Sequence, residues 1–442
     1  MKKILILGAG RSSTSLIDYL LSYQQEKSWE IIIGELDPEV ARKKFPKAQV
    51  IAFDIMNEQT ASEQIKGTDL VISMVPAHLH IHVAKICAGL GRNMLTASYV
   101  SDEIRALSDE FKANNACCIM ELGLDPGIDH MSAMQVLDRL RQEGHELKAF
   151  ETFTGGLLAE DKERDNPWEY KFTWNPRNVV LAGTGTVKFI QQGRFKYIPY
   201  HQLFQRTEII HIPGHGYFEG YANRDSLNYL DLYGLRGIDT LYRGTLRRPG
   251  FCKAWDIFIQ LGATDDSSEL ENVAGMTHRD FINSFLQYNP HDSVELKLAH
   301  YLNIGLESDE MYKLKWLGVF DEVPVGLKKG TAAQILEHIL KKKWTLDESD
   351  RDMIVMWHKF DYLDNGRPKQ IQSHMVVEGD DPINTAMSKT VGLPLAIGAK
   401  NVLEGNISVT GVHIPTINEI YRPILKELES MGFEFMERET IS

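Results

Sequence analysis

The stretch Lys3-Ile4-Leu5-Ile6-Leu7-Gly8-Ala9-Gly10-Arg11-Ser12-Ser13 decides the fold class of this chain. An apolar run typical of a buried strand ends at Gly8, and a segment of helical composition follows Ser13. Gly8 allows a tight turn, and Gly10 lets the backbone approach a pyrophosphate at the helix N-terminus. The loop from Gly8 to Ser13 therefore predicts a dinucleotide site, with Ser13 small enough to replace the third glycine of the fingerprint. A glycine-rich connection without a ligand is the alternative.

The alternation of strand and helix continues through the first 121 residues. The apolar runs show no polar alternation, which is typical of parallel strands covered on both faces. Right-handed crossovers between such strands give an α/β fold with a doubly wound, Rossmann-type parallel sheet. The predicted strands are 3–7, 30–34, 50–53, 70–74, 93–97 and 117–121, and the predicted helices include 12–25, 38–45, 78–90 and 102–114.

The pattern changes at Gly123-Leu124-Asp125-Pro126-Gly127. Residues 147–260 contain β-type runs rich in Gly, Pro, Tyr and Arg, whereas residues 268–345 have mostly helical patterns. We therefore predict a nucleotide-binding domain of residues 1–127 and a mixed α+β domain of residues 128–389 for substrate binding and dimerisation.

The composition disfavours several classes of partner. Lys and Arg number 48 against 61 Asp and Glu, a net charge of −13, which disfavours duplex nucleic acid and anionic membranes. Four cysteines without zinc-type spacing predict neither a disulfide framework nor a metal site. The apolar N-terminal run is too short for a signal peptide, and no stretch approaches a membrane span of ~20 apolar residues. We expect a cytoplasmic protein, and a homodimer because residues 265–385 carry helices and aromatics with no assigned catalytic task.

Glu35 ends the second predicted strand, where an acidic side chain accepts hydrogen bonds from the adenine ribose and repels a 2′-phosphate. No arginine follows it directly, so the sequence favours NAD over NADP. Arg42, Lys43 and Lys44 keep NADP open, although a helix face exposed to solvent is the simpler interpretation of that cluster. Val75 follows the fourth strand and is expected to flank the cofactor.

Polar residues follow the fifth and sixth predicted strands. Ser98 and Tyr99 come after the fifth strand, and Asp125 comes after the sixth. Ligands of open parallel sheets bind outside the carboxyl ends of the strands, so these side chains are expected beside the nicotinamide half of the cofactor. An aspartate there suits binding of a substrate ammonium or proton transfer, with turn formation before Pro126 as the alternative. His130 is interpreted as a packing or capping residue rather than an acid–base catalyst.

An arginine-rich segment, Tyr242-Arg243-Gly244-Thr245-Leu246-Arg247-Arg248, stands out in the second half of the chain. If it is a strand, period-2 geometry places Arg243, Thr245 and Arg247 on one face. Two guanidinium groups around a hydroxyl suit recognition of carboxylates, because each can form two parallel hydrogen bonds. The segment therefore indicates either a carboxylate-binding face or an ordinary solvated sheet face.

Several motifs occur together in the chain: Gly8-Ala9-Gly10, Ser98-Tyr99, Gly123-Leu124-Asp125-Pro126-Gly127-Ile128-Asp129-His130, Gly155-Gly156-Leu157, Asp165-Asn166-Pro167 with Tyr170-Lys171-Phe172, Asn223-Arg224-Asp225-Ser226 and Arg243-Gly244-Thr245-Leu246-Arg247. As a set they resemble saccharopine dehydrogenase of the L-glutamate-forming type, also called saccharopine reductase. The likeness runs from residue 1 to about residue 255 and resumes at Thr410-Gly411-Val412-His413-Ile414-Pro415.

The resemblance implies a Rossmann domain onto which a C-terminal segment of about 390–442 packs, joined to a mixed α+β substrate domain. It implies an NAD(P)-dependent oxidoreductase of CH–NH donors that interconverts saccharopine with L-glutamate and L-2-aminoadipate 6-semialdehyde in lysine metabolism. By matched position, it implies substrate contacts at Ser98, Tyr99, Asp125, Arg224, Thr245, Leu246 and Arg247, and cofactor contacts at Gly10, Arg11, Ser12, Ser13, residues 33–35, Val75 and Trp174.

The resemblance also bears on catalysis and on the choice of cofactor. A hydride mechanism needs no metal, and Asp125 or a bound water is expected to move the proton, with Tyr99 as an orienting donor. Fungal members carry a basic, NADP-suited sequence after the second strand, whereas this chain has Glu35-Leu36. The cofactor therefore stays open between NAD and NADP, with NAD favoured.

Two other functions are compatible with the motifs. A sister imine reductase, such as a carboxynorspermidine dehydrogenase, acts on a substrate with fewer carboxylates and more amines, so the arginines at 224 and 243–247 count against it. A non-catalytic sensor that binds a dinucleotide would need no polar segments in the second domain. Saccharopine oxidation is the function that the resemblance favours.

Overall fold

The computed structural model describes residues 1–162 and 165–441, which form two compact units. The first unit contains Met1–Glu146, Asp364–Arg367 and Met375–Met436, and the second contains Leu147–Leu363, Pro368–His374 and the residues from Glu437 onward. These limits differ from the predicted boundaries at residues 127 and 389. The helix Ile128–Gln142 is compact with the first unit because it packs against the helix Asn418–Ser430 near the C-terminus.

The first unit alternates strands and helices along most of its length. Its strands are β1 (Lys2–Leu7), β2 (Trp29–Glu35), β3 (Gln49–Ala52), β4 (Leu70–Ser73), β5 (Asn93–Leu95), β6 (Cys117–Ile119) and β15 (Gly411–His413). Its helices are α1 (Thr14–Tyr23), α2 (Pro38–Lys44), α3 (Glu58–Lys66), α4 (His80–Leu90), α5 (Asp102–Arg105), α6 (Ser108–Ala113), α7 (Ile128–Gln142), α15 (Ala386–Glu404) and α16 (Asn418–Ser430).

The strands of the first unit form one parallel sheet in the order β15-β6-β5-β4-β1-β2-β3. The chain winds outward in both directions from the β1–β4 pair, as in a doubly wound fold. Ile4 pairs with Ile31 on one side and Leu70 on the other, and its side chain is fully buried. The predicted Rossmann-type sheet is confirmed. The predicted helix 102–114 is two short helices, because the Leu107 N–H bonds to the Ile104 carbonyl and ends the first one.

The C-terminal part of the chain completes this unit. β15 pairs with β6 at the edge of the sheet, with Val412 opposite Cys118. Helix α15 lies against α1, and the Ser388 hydroxyl accepts a hydrogen bond from the Ser15 N–H at 3.1 Å. The two helices approach so closely at Gly392 that a Cβ there would lie 2.8 Å from the Leu16 backbone nitrogen.

Replacing Gly392 with alanine is therefore expected to lower the free energy of unfolding. The added methyl group must push two helices apart, which costs about 1–3 kcal/mol and exceeds the gain of about 1 kcal/mol in helix propensity. Gly89 in α4 is the matched control, since a Cβ there would meet only the Glu110 Oε1 atom at 3.6 Å. Thermal unfolding of both variants should show a loss for Gly392→Ala and no loss for Gly89→Ala. Equal shifts in the two would contradict the close approach.

The second sheet is mixed, and most of its strands lie in the second unit. Its strands are β7 (Glu146–Leu158), β8 (Val187–Gln191), β9 (Arg194–Ile198), β10 (Thr207–Ile212), β11 (Gly216–Ala222), β12 (Thr240–Arg247), β13 (Asp352–Asp364), β14 (Arg367–Glu378) and β16 (Met436–Ile441). The helices of the second unit are α8 (Pro176–Val180), α9 (Tyr229–Leu232), α10 (Phe251–Leu261), α11 (His278–Asn283), α12 (Val294–Leu302), α13 (Asp309–Leu317) and α14 (Ala332–Trp344).

The sheet order β10-β11-β12-β7-β13-β14-β16 places β12 between an antiparallel and a parallel neighbour. Beside the end of β12 lies a cluster of buried aromatic rings that contact one another, including Trp168, Tyr170, Phe251 and Trp344. The surroundings of Arg247 follow from this cluster.

No helix in residues 1–162 and 165–441 is long and apolar enough to cross a bilayer.

Candidate active site

The loop after β1 has the geometry of a dinucleotide-binding turn. Gly8 has a φ of +102°, which favours glycine, and a Cβ there would lie 2.9 Å from the Met74 carbonyl oxygen. A Cβ at Gly10 would have no atom within 4 Å, so the backbone there is open to a ligand. A short turn at Arg11–Ser13 leads into α1, and Ser13 is buried, as close packing of helix and strand requires. These residues fit a pyrophosphate at the start of α1.

Two side chains of opposite charge lie against this loop. Glu35, at the end of β2, accepts a hydrogen bond from the Ala9 N–H, and Lys44 donates one to the Gly10 carbonyl oxygen at 3.2 Å. The interpretation of Lys44 as part of a solvated helix face is therefore incomplete, because its ammonium reaches the loop. A 2′-phosphate would be repelled by Glu35 and attracted by Lys44.

Ser98, Tyr99 and Asp125 follow the ends of the neighbouring strands β5 and β6. The Tyr99 hydroxyl donates to Asp125 Oδ1 at 3.1 Å, and both side chains are half-buried. The structure thus brings together two of the residues that the sequence proposed. A carboxylate at hydrogen-bond distance from a phenol can orient that phenol and can exchange a proton with a ligand.

A buried network supports the two loops that carry these residues. Glu121 Oε1 accepts from the Val100 N–H at 3.1 Å, and Glu121 Oε2 lies 2.8 Å from His130 Nε2. Asp129 Oδ1 accepts from the Gly127 N–H at 2.6 Å. His130 is fully buried, which agrees with its interpretation as a packing residue. The network ties the loop after β5 to the loop after β6.

His80, one of three histidines (His78, His80 and His82) to which the sequence assigned no role, contacts Ser98. It is the first residue of α4 and is 1% exposed. Its Nδ1 lies 2.9 Å from Ser73 Oγ, and its Nε2 lies 2.7 Å from Ser98 Oγ. No sequence signal could have revealed this chain of contacts, because its three residues come from a strand, a helix and a loop.

Arg247 ends β12 and is 4% exposed, among aromatic rings. Its guanidinium carbon lies 4.9 Å from the ring centroid of Tyr170, 5.3 Å from that of Phe251 and 5.9 Å from that of Tyr221. Nη1 donates to the Leu246 carbonyl oxygen at 2.8 Å, whereas Nε has no hydrogen-bond partner in the described part of the chain. Within residues 1–162 and 165–441, no carboxylate forms an ion pair with it. A buried cation without an anionic partner is costly, so this guanidinium is a candidate site for an anion.

The two tyrosines do not supply the missing negative charge. Burial raises the pKa of Tyr170 to about 12 and raises the pKa of Tyr221, while Arg247 opposes the shift in both cases. Both phenols are therefore neutral at pH 7 and do not balance the charge of the guanidinium.

The other candidate substrate residues have mixed positions. Arg243 is buried with its guanidinium carbon 4.1 Å from the centroid of the Tyr229 ring, so the alternative of a solvated sheet face is wrong. Thr245 is half-buried, and Leu246 is fully buried. Arg224 is exposed in the turn after β11, with a φ of +54°. Arg224 therefore stays a candidate on the family resemblance.

The remaining cofactor candidates are half-buried or exposed. Val75 follows β4 and is half-buried, as is Ser12 in the turn before α1, whereas Arg11 is exposed. Trp174 belongs to the second unit, where it is half-buried just before α8. Arg11 and Ser12 lie in the loop after β1, and Val75 follows the neighbouring strand β4, while Trp174 stays a candidate on the resemblance alone.

Comparison with known proteins decides the family. The model of the saccharopine dehydrogenase NADP binding domain matches residues 4–119, and that of the saccharopine dehydrogenase C-terminal domain matches residues 123–433. The chain belongs to the saccharopine dehydrogenase family. The solved structure of an apo histidine-tagged saccharopine dehydrogenase (L-Glu forming) from Saccharomyces cerevisiae matches it with a TM-score of 0.90 at 27% identity, over 100% of both chains.

Two relatives differ in how much of their length the chain spans. It is 29% identical to the Saccharomyces cerevisiae saccharopine dehydrogenase [NADP(+), L-glutamate-forming] over 100% of both chains. It is 32% identical to the mitochondrial alpha-aminoadipic semialdehyde synthase of Bos taurus, over 100% of this chain and 48% of that protein. The chain thus spans about half the length of the Bos taurus relative.

The family supports the use of NAD(P), but the names of the domain model and of the fungal relative point to NADP, so the expected preference for NAD is not supported.

Proposed function

We propose that this member of the saccharopine dehydrogenase family is an NAD(P)-dependent oxidoreductase of lysine metabolism. Its reaction converts saccharopine, NAD(P)⁺ and water to L-glutamate, L-2-aminoadipate 6-semialdehyde, NAD(P)H and a proton, reversibly. The observation that carries the proposal is the guanidinium of Arg247, buried among aromatic rings without a carboxylate partner in the residues that the structure describes. Saccharopine is a secondary amine with three carboxylates, so it brings the charge that this site lacks.

Each unit has its own part in this proposal. In the second unit, Arg247 binds a substrate carboxylate, and an arginine suits the task because its planar group can hold both oxygens. In the first unit, the open backbone at Gly10 and the turn into α1 hold the pyrophosphate of the cofactor. The domain roles that the sequence predicts are thus part of the proposal, and the homodimer stays a prediction.

Asp125 and Tyr99 are the proposed groups for proton movement. NAD(P)⁺ bound at the loop after β1 would supply the acceptor for the hydride that leaves the substrate carbon beside the bridging nitrogen. A group of the chain must take up the proton that leaves the bridging ammonium and must also pass the two protons of the attacking water to the nitrogen of the departing glutamate, so that one proton is released in each turnover. Asp125 is the candidate acceptor for these protons, and Tyr99 orients its carboxylate through the 3.1 Å hydrogen bond.

A spectrophotometric assay tests the function directly. The protein is incubated with saccharopine and either NAD⁺ or NADP⁺, and the appearance of the reduced nicotinamide is followed. Reduction with either nucleotide is the expected result. If neither is reduced in protein that binds nucleotide by calorimetry, the proposal is wrong. Polyamine-derived carboxylates would then test the sister imine reductases, and inactivity with those would favour a sensor.

We further propose that Glu35 makes NAD the better cofactor of this chain, although the names of the relatives point to NADP. Its carboxylate lies against the phosphate-binding loop, at the Ala9 N–H, and would repel a 2′-phosphate. The Glu35→Ser variant should raise the ratio of kcat/KM for NADP to that for NAD about tenfold or more, since a like charge is removed.

The ratio of the two kcat/KM values is the useful quantity, because loss of the hydrogen bond to Ala9 can weaken the binding of both cofactors equally. Glu39→Ser is the matched control, since Glu39 is an exposed acidic residue of α2 that pairs with Arg42. Steady-state kinetics should show an unchanged ratio for the control. A ratio that moves less than about twofold in Glu35→Ser would show that Lys44 or another group sets the choice.

A further inference from the structure

A chain of three hydrogen-bonding side chains ends at Ser98. Ser73 is fully buried at the end of β4, and His80 is 1% exposed at the start of α4. The two distances, 2.9 Å from Ser73 Oγ to His80 Nδ1 and 2.7 Å from His80 Nε2 to Ser98 Oγ, are both within hydrogen-bond range. All three residues belong to the first unit, and Ser98 is the one that is only half-buried.

The imidazole of His80 is neutral at physiological pH. Burial lowers the pKa of His80 to about 4, and His78 adds a smaller effect in the same direction. A neutral imidazole has one N–H donor and one acceptor nitrogen, so the two serines must bond to it in opposite senses. Either Ser73 donates to His80 and His80 donates to Ser98, or all the directions are reversed.

The surroundings of Ser73 decide between the two directions. If His80 donated to Ser73, the Ser73 hydroxyl proton would need another acceptor, and the described residues provide none. A buried donor without an acceptor costs free energy. If Ser73 donates to His80 Nδ1, its proton is satisfied, and the imidazole carries its own proton on Nε2, facing Ser98.

We propose that His80 is a positioning residue that donates from Nε2 to Ser98 Oγ and so makes the Ser98 hydroxyl a hydrogen-bond donor toward the substrate. Because Ser98 accepts from His80, its own proton is turned away from the imidazole. A carboxylate has only acceptor oxygens and therefore fits a hydroxyl held in this way. The class of group that Ser98 takes is thus a carboxylate or carbonyl oxygen, an assignment that rests on the proposed function.

The tautomer of His80 can be measured without any substrate. In protein with ¹⁵N-labelled histidine, NMR distinguishes a neutral ring protonated at Nε2 from one protonated at Nδ1, and the signals lost in His80→Gln assign the residue. We expect the Nε2–H form in the wild type, and a weaker preference for it in Ser73→Ala. A dominant Nδ1–H form would overturn the proposal, whatever the activity of the protein.

A double-mutant cycle tests the role of His80 toward substrate. His80→Leu should raise the KM for saccharopine about tenfold and leave the dissociation constant for the nucleotide unchanged. In a Ser98→Ala background the same substitution should have no further effect, because the hydroxyl that it orients is absent. His80→Gln, whose amide can still donate to Ser98, should recover most of the loss.

Two outcomes of the cycle would contradict the proposal. In the first, His80→Leu raises the KM for saccharopine by the same factor in the wild-type and in the Ser98→Ala backgrounds. That result would show that His80 acts only on folding, and thermal unfolding of each variant would reveal such a role independently. An unchanged KM in His80→Leu would show that the direction of the Ser98 hydroxyl does not matter. Absence of saccharopine oxidation in the wild type would instead refute the proposed function, while the NMR result still decides the tautomer.

Discussion

Replacing Arg247 with methionine is expected to raise the KM for saccharopine about 30-fold or more, while the KM for the nucleotide changes less than about twofold. Loss of one partner from a buried, hydrogen-bonded charge pair costs about 2–5 kcal/mol, which sets the lower limit of this effect. Arg247→Lys should be intermediate, because an ammonium keeps the charge but loses the planar fork. Equal increases in both KM values would remove Arg247 from the substrate site.

The stability of the ligand-free variant gives a second, independent result. Arg247 has no carboxylate partner in residues 1–162 and 165–441, so methionine, of similar volume, should leave the melting temperature unchanged or raise it. Arg248 is the matched control, since its Nη1 donates to the His215 carbonyl oxygen at 3.0 Å and its Nη2 lies 3.5 Å from Glu160. Arg248→Met should lower the melting temperature and leave the KM for saccharopine near the wild-type value. A fall in stability for Arg247→Met would show that the contacts of the guanidinium with the Leu246 carbonyl oxygen and the aromatic rings outweigh the cost of burying its charge.

Asp125→Asn is expected to lower the single-turnover rate of nicotinamide reduction about 100-fold or more, because an amide cannot accept the proton. The amide oxygen can still accept from the Tyr99 hydroxyl, so the loop should keep its conformation. Tyr99→Phe, which removes only the orienting hydroxyl, should cost about tenfold. Stopped-flow measurements at saturating saccharopine separate this loss of rate from any loss of binding.

The same variants distinguish the other roles that the sequence leaves open for Asp125. If Asp125 binds a substrate ammonium, Asp125→Asn should raise the KM and leave the rate at saturation unchanged. If Asp125 serves only in the turn before Pro126, both quantities should stay near the wild-type values, and the variant should lose only stability. Either result would move the proton transfer to a bound water.

The sheet of the first unit was predictable because its signals are local. Each strand from β1 to β6 is a short apolar run, and the turn after β1 contains glycines whose positions decide its geometry. The domain limits were not predictable in the same way. Whether α7 belongs to one unit or the other depends on its packing against α16, far away in the sequence.

The chemistry of the site was only partly predictable. The alternation along β12 placed Arg243 and Arg247 on one face, but nothing in that segment indicates that both side chains are buried. The burial of Arg247 comes from aromatic residues near positions 170, 221 and 251, which only the folded chain brings together. The contact between His80 and Ser98 likewise depends on the path of α4 beside β5.

The late position of β15 in the sequence has a consequence for the newly synthesised protein. The sheet that begins with β1 lacks its last strand, and α1 lacks the cover of α15, until the ribosome has also made the second unit. At about 5–20 residues per second, that interval is on the order of tens of seconds. During it, the edge of β6 and an apolar helix face are exposed to other chains. Correct assembly in the cell should therefore depend more on chaperones than the stability of the finished protein would suggest.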